Sequence, residues 1–137
     1  MKWLYRHLHK KEKGFTLVEL MVVIIILAVL TGIAIPSYLA LRNRARIQAT
    51  RSEMQNIATA LEMYAADFDA YPAGAWAAAS ALVEGGGYMD PVPTDDAWTT
   101  ALVYALDGVG GYTLTSWGPN LAAAGGDDIV LTDGQLN

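Results

Sequence analysis

The chain has 137 residues, enough for one small domain, and carries a net charge of −5. Five basic residues lie within positions 1–14 and four arginines within 42–51. After Arg51 there are twelve acidic residues and no Lys or Arg. The acidic part lacks the clustered positive charge that nucleic acids require, so nucleic-acid binding is not expected. The four arginines are interpreted as a solvated or lipid-facing turn of a helix.

Residues 15–41 are apolar except for the carboxylate of Glu19 and follow the basic stretch 1–14. This run is longer than the core of a typical secretory signal and long enough to span a bilayer. Because positive residues stay on the cytoplasmic side, the chain is predicted to cross once with its acidic part outside. A carboxylate inside such a segment is costly and needs a partner, which makes Glu19 a candidate functional residue.

A signal motif is found at residues 13–20, whose sequence is KGFTLVEL. It resembles the class III signal of the type IV pilin superfamily, which includes the pseudopilins of type II secretion. The resemblance implies that a prepilin peptidase cuts after Gly14, removes residues 1–14 as a leader and methylates Phe15. It also implies that Glu19 meets the amine of Phe15 of a neighbouring subunit, so that two costly buried charges satisfy each other.

Helical periodicity continues beyond the apolar run. Pro36 removes one helical hydrogen bond, which predicts a kink or local melting. The resemblance implies that this stretch loosens on assembly, and a static kink is the alternative. Residues 42–68 are predicted to form the amphipathic half of the same helix, which ends at the sequence DAYP of residues 69–72. Its apolar stripe contains Ile47, Met54, Ile57, Ala58, Leu61, Tyr64, Ala65 and Phe68.

Residues 69–137 are predicted to form a small α+β head. An alanine-rich stretch that ends in three glycines predicts a short helix within 73–89. Strands are predicted at 102–106, 112–116 and 129–131, with a glycine-rich hairpin at 107–111. The predicted fold class is therefore α+β: a long N-terminal helix packed on a small three-stranded antiparallel sheet, the lollipop-shaped fold of pilins.

A second resemblance covers residues 111–129 and concerns the major pseudopilin family of type II secretion. There a strand bearing a tyrosine leads to a glycine-rich loop and an Asp-Asp-Ile sequence, and the loop binds calcium. The resemblance implies calcium ligands at Asn120, Asp127 and Asp128, with backbone carbonyl groups near Trp117. Calcium takes six to eight oxygen ligands, and this inventory suits it. Asn120 stands where the family has aspartate, which lowers the ligand charge.

The alternative for this loop is that Asp127 and Asp128 cap a turn and keep it solvated. Transition metals are not expected in either case, because the chain has no cysteine. Both histidines, His7 and His9, lie in the predicted leader.

These features predict a structural subunit and no enzyme, since the head has no histidine and no evident nucleophile. The resemblance implies a type II secretion pseudopilin that polymerises in the periplasm and drives protein export. The alternative is a type IV pilus subunit for adhesion, motility or DNA uptake. A membrane-anchored enzyme and a calcium-dependent binding module on a stalk explain neither Gly14 nor Glu19.

The resemblance also implies the partners and the location. The partners are further copies of the chain, the prepilin peptidase, an inner-membrane assembly platform, minor pilins and, before assembly, the membrane itself. The expected location is the bacterial inner membrane with the head in the periplasm, followed by a periplasmic filament or a surface pilus.

Overall fold

The structure is a computed structural model that describes residues 14–137. It contains two helices, α1 (Leu17–Phe68) and α2 (Trp76–Gly85). Four strands follow, β1 (Val103–Leu106), β2 (Tyr112–Ser116), β3 (Ile129–Thr132) and β4 (Gln135–Leu136), with a 3₁₀ turn at Gly118–Asn120 after β2. The predicted α+β fold class is confirmed.

The chain divides into two compact units, the first ending at Leu39 and the second running from Ala40 to Asn137. In the first unit the apolar side chains of α1 are exposed, and the helix has no core of its own. α1 is helical through Pro36, so its backbone is not melted there. The hydroxyls of Thr31 and Ser37 donate to the carbonyls of Leu27 and Ile33, four residues earlier. Loosening on assembly stays a prediction.

The second unit contains the hydrophobic core. One face of α1 packs over the sheet, and α2 closes the side of the core. The buried positions recur with the period of each element. In the helices every third or fourth residue is buried, and in β2 every second residue is buried. Its fully buried apolar side chains include Met54, Ile57 and Leu61 of α1, Ala79 and Val83 of α2, and Tyr112, Leu114 and Leu131 of the sheet.

The sheet is antiparallel with the order β1-β2-β3-β4. The prediction of three strands was wrong by one, because β4 was not expected. β4 pairs with β3 across a two-residue turn at Asp133 and Gly134, whose φ values of 47° and 78° are both positive. Such turns connect hairpin strands tightly. A strand of two residues is too short to show an alternating pattern.

Candidate functional site

The predicted processing point lies at the start of the described chain. Gly14 and Phe15 precede α1 in an extended, exposed segment, and the side chain of Phe15 is 88% exposed. The segment Gly14–Thr16 is therefore sterically open to a peptidase. The remainder of the predicted leader, residues 1–13, lies outside the described residues.

Glu19 forms a capping box with Thr16 at the first turn of α1. Its Oε2 atom accepts hydrogen bonds from the backbone N–H and from the hydroxyl of Thr16, both at 2.8 Å. In return the N–H of Glu19 donates to Thr16 Oγ1 at 3.2 Å. A threonine followed three residues later by glutamate is the usual sequence of such a cap, which satisfies N–H groups that the helix leaves unpaired.

The cap positions the carboxylate at the end of α1 nearest Phe15. Both of its side-chain bonds fall on one oxygen, so Oε1 takes no hydrogen bond within residues 14–137. Negative charge is also favourable at a helix N-terminus, because the unpaired N–H groups carry partial positive charge. The arrangement thus leaves one carboxylate oxygen free for an external cation while the other holds the helix end.

The helix that follows has the length and composition of a membrane span. Within α1 the most apolar window of 18 residues has a mean hydropathy of 2.9, and no side chain of that window is buried. Among the described residues, α1 is the one helix that meets these criteria. A removable N-terminal signal sequence would meet the same criteria of length and hydropathy.

The second predicted site is the loop between β2 and β3. Asn120 lies exposed at the end of the 3₁₀ turn, and Asp127 and Asp128 lie half-buried just before β3. The N–H of Asn120 donates to Asp127 Oδ2 at 3.0 Å, and the N–H of Ala124 donates to Asp128 Oδ2 at 2.8 Å. The fold therefore brings the three predicted ligands into one loop. Trp117, whose neighbourhood was expected to supply carbonyl ligands, lies directly before the turn.

Two carboxylate oxygens of this loop are buried without a partner. Asp127 Oδ1 and Asp128 Oδ1 accept no hydrogen bond from any described residue. A buried carboxylate oxygen without a donor is costly, and such atoms call for an explanation such as a bound ion. Hard carboxylate oxygens are the ligands that calcium prefers. The residues present therefore fit a calcium ion, while the Oδ2 atoms of the same aspartates cap the turn as the alternative expects.

Glycines allow the loop to fold this tightly. A Cβ on Gly125 would collide with the side chain of Asn120 and would lie 2.8 Å from Asp127 Oδ1. A Cβ on Gly118, which has a φ of 67°, would collide with the backbone oxygen of Asp127. Side chains at these positions would push the predicted ligands apart.

The loop does not suit a transition metal. Within residues 14–137 no three His, Cys, Asp or Glu side chains lie close enough together to hold a metal ion. Asp127 and Asp128 supply only two carboxylates, so a complete shell here needs amide, carbonyl or water oxygens. Calcium accepts all of these, whereas zinc favours nitrogen and sulfur ligands.

Two family models together cover nearly the whole chain. The prokaryotic N-terminal methylation motif matches residues 9–35, and the model for type II secretion system protein G matches residues 37–132. The chain belongs to the type II secretion system protein G family. The resemblance seen at residues 13–20 and 111–129 is thereby confirmed.

Curated relatives agree with this assignment. The type II secretion system core protein G of Pseudomonas aeruginosa is 30% identical over 132 residues, covering 87% of this chain and 92% of the relative. The core protein G of Escherichia coli is 33% identical over 133 residues, covering 88% and 90%. The core protein G of Klebsiella pneumoniae is 30% identical over 131 residues, covering 88% and 94%. No solved structure matches the chain significantly.

The structure also gives a role to Asp96, a residue of the turn before β1 to which the sequence analysis assigned none. Asp96 is 6% exposed, and its Oδ2 accepts a hydrogen bond of 2.6 Å from the buried hydroxyl of Ser116, at the end of β2. Its Oδ1 accepts the N–H groups of Trp98 and Thr100, both at 2.9 Å. The N–H of Ala97 in the same turn donates to Thr50 of α1 at 3.2 Å. Asp96 thus joins the turn that contacts α1 to β2, the strand that leads into the loop of Asn120, Asp127 and Asp128.

Proposed function

We propose that this pseudopilin is cut after Gly14, methylated at Phe15 and polymerised into a periplasmic filament that drives protein export by type II secretion. The family assignment supports a structural subunit that is a substrate of the prepilin peptidase. The exposed segment at Gly14–Thr16 supports the cleavage. The chain acts through assembly and is not an enzyme.

The observation that carries the proposal is the state of Glu19. It is the one carboxylate within residues 15–41, and its Oε1 is free while Oε2 caps the helix. Cleavage after Gly14 creates an ammonium group on Phe15. In a filament of parallel helices, the Phe15 ammonium of one subunit pairs with Glu19 Oε1 of the next. Either charge alone in an apolar interior costs several kcal/mol, so the pair sets the register between subunits.

The rest of the chain serves the same function. Before assembly the apolar part of α1 anchors the subunit in the inner membrane, with the acidic head in the periplasm, as the basic leader requires. During assembly the stretch around Pro36 loosens, since one helical hydrogen bond is already missing there. The inner-membrane assembly platform and the minor pilins are the further partners, and the first partner is another copy of the chain.

Calcium is proposed to bind in the loop between β2 and β3. The ligands are Asp127 Oδ1, Asp128 Oδ1 and the Asn120 side chain, completed by backbone carbonyls near Trp117 and by water. The partnerless buried oxygens of the two aspartates support this assignment. When bound, the ion neutralises both carboxylates and fixes the loop. The chain itself contributes the cradle of N–H donors that orients Oδ2 of each aspartate.

Intact mass and N-terminal sequencing of the native protein test the proposal directly. The membrane form and the polymerised form are both expected to begin at methylated Phe15. The variant Glu19→Ala is expected to be processed and inserted normally yet to yield few filaments. A native chain that retains Met1, or a Glu19→Ala variant with normal filament yield, would overturn the proposal.

A further inference from the structure

A small cavity lies at the hairpin end of the sheet, with Asp69 in its lining and three further carboxylates near that end. The cavity has a volume of about 280 Å³ and is lined by Asp69, Tyr71, Leu106 and the glycines of the β1–β2 hairpin. We call its acidic surroundings the acidic corner, which contains Glu62, Asp69, Asp107 and Asp133.

The backbone of Gly111 lies against Asp107 and Asp133, and that of Gly134 lies against Glu62. A Cβ on Gly111 would lie 2.6 Å from Asp107 Oδ2 and would collide with Asp133 Oδ1. A Cβ on Gly134 would lie 2.5 Å from Glu62 Oε1. The N–H groups of Val109 and Gly111 lower the pKa of Asp107, so this side chain is charged at neutral pH.

The acidic corner also acts on the aromatic wall of the cavity. Burial raises the pKa of Tyr71, and the negative charges of Glu62 and Asp133 raise it further. A cavity lined by an aromatic ring, an apolar strand residue and the carboxylate of Asp69, with further carboxylates nearby, suits an arginine side chain. The stem of an arginine packs on apolar surface, while its guanidinium stacks on a ring and binds carboxylates.

The cations that suit this cavity come from one segment of the chain. Beyond residue 14 the basic side chains are Arg42, Arg44, Arg46 and Arg51. None of them has an acidic residue three or four positions away on α1, the spacing at which helical ion pairs form. Arg44 and Arg51 are exposed and two turns apart, so they lie on one face of the helix, here called the arginine face.

The arginine face and the acidic corner lie at opposite ends of the second unit. Thr50, next to Arg51, accepts a hydrogen bond from Ala97. The neighbouring Asp96 binds Ser116, which lies at the end of β2. The acidic corner lies at the start of β2 and along the last two turns of α1, which carry Glu62. Arg51 and Glu62, the nearest carboxylate of the acidic corner, are separated by eleven residues, or about 16 Å of helix at 1.5 Å per residue. The two surfaces of one copy therefore do not meet.

Complementary surfaces at opposite ends of one subunit have a structural consequence. A contact between them joins different patches of two copies, and repeated contacts of this kind build an open helical polymer when the rotation does not close a ring. All copies then point in the same direction, as the pairing of Phe15 with Glu19 also requires. Without such pairing, the packed acidic heads would repel each other.

We propose that the acidic corner of one subunit receives the arginine face of a second copy of this chain, with an arginine entering the cavity beside Tyr71. The inference rests on the proposed filament and names a contact between its heads. The guanidinium binds Asp69 and Asp107 at the rim. Glu62 and Asp133 bind the second arginine of the face.

Charge reversal in the full-length chain tests the contact. The variant Arg44→Glu with Arg51→Glu is expected to insert normally and to lower filament yield at least about tenfold, because like charges then face each other across the contact. Adding Glu62→Arg with Asp69→Arg is expected to restore assembly. Melting temperatures of the detergent-extracted variants verify that each is folded. Ser52→Glu, which adds a charge beside Arg51 on another face of α1, is the matched control and is expected to assemble normally.

Cysteine crosslinking gives an independent readout, since the chain has no cysteine of its own. In the variant Arg51→Cys with Glu62→Cys, the two sites lie eleven residues apart on one helix, too far for a bond within one copy. Oxidised filaments are expected to give a ladder of covalent multimers, which reducing agent collapses.

Filaments of the double-cysteine variant that give no ladder, or an Arg44→Glu with Arg51→Glu variant that assembles normally, would overturn the contact and leave the proposed filament intact. Failure of the reversed variant to enter the membrane would assign the arginines to lipid headgroups and also overturn it. Absence of filaments from the wild-type chain would overturn the proposed function itself.

Discussion

At the scale of single residues, the loop before β3 offers a direct test of calcium binding. Calcium is expected to raise the melting temperature of the full-length chain, because a ligand that binds only the folded state stabilises it, by about 2.7 kcal/mol at 100 times its Kd. Asp127→Asn keeps the shape of the side chain and removes one charge. It is expected to lose most of the calcium-dependent shift in melting temperature.

The control for this prediction is Glu84→Gln, an exposed change of the same kind on α2. It is expected to retain the full shift. Melting in chelator separates a loss of calcium binding from a loss of folding. An equal calcium response in wild type and Asp127→Asn would remove calcium from this loop.

Asp96 is expected to matter for stability more than its position in a loop suggests. Asp96→Ala would leave the buried hydroxyl of Ser116 and the N–H groups of Trp98 and Thr100 without their acceptor. The free energy of unfolding is expected to fall by about 2–3 kcal/mol, the cost of leaving buried groups unsatisfied. Chemical denaturation measures this, with Asp95→Ala at the exposed neighbouring position as control. A loss below about 0.5 kcal/mol for Asp96→Ala would contradict the assigned role.

A functional residue could be identified from the sequence where it interrupts a clear pattern. Glu19 was identified because it is a lone carboxylate in an apolar run, and its capping bond to Thr16 is a local feature that the sequence already contains. Asp96 had no such signal. Its partner Ser116 lies twenty residues away and becomes its neighbour only when the sheet forms. The partnerless oxygens of Asp127 and Asp128 likewise appear only in three dimensions.

At the scale of secondary structure, periodicity predicted the long elements well and the short ones poorly. The predicted helix end at Phe68 agrees with α1, because the DAYP sequence interrupts a strong apolar stripe. The predicted helix within 73–89 contains α2 with three extra residues at its start and four at its end, since alanine alone gives no boundary signal. β4 was missed because its pairing is determined by the turn at Asp133 and Gly134.

The packing of α1 on the sheet is expected to be sensitive to alkali. Burial raises the pKa of Tyr104 to about 12, and burial together with the charges of Tyr71 and Glu62 raises the pKa of Tyr112 above its usual value. In the unfolded chain these hydroxyls ionise near pH 10. Their contribution to stability is therefore complete below pH 10 and is lost as pH rises to about 12.

Unfolding by denaturant at a series of pH values measures this effect. Tyr104→Phe is expected to lower stability at neutral pH, because it removes the hydrogen bond to the Pro72 carbonyl. It is also expected to make the decline above pH 10 shallower. A variant with an unchanged decline would show that Tyr104 does not ionise in this range.

At the scale of the whole molecule, the division into two units separates two functions of one helix. The part of α1 in the first unit exposes its apolar residues and depends on a membrane or on other copies for burial. The part in the second unit supplies Met54, Ile57 and Leu61 to a core of its own. In the proposed filament, the first part of α1 serves assembly and the second part belongs to the head.

Residues 40–137 alone are therefore expected to form a folded, soluble monomer. They contain every residue of the core, the loop between β2 and β3 and both surfaces of the proposed contact, but neither Phe15 nor Glu19. Exposed ion pairs contribute about 0–1 kcal/mol each, too little to hold heads together at micromolar concentration without helix packing. Cooperative melting and a monomeric mass in sedimentation are the expected results. Filaments from this fragment would show that the heads, and not the apolar helix, drive assembly.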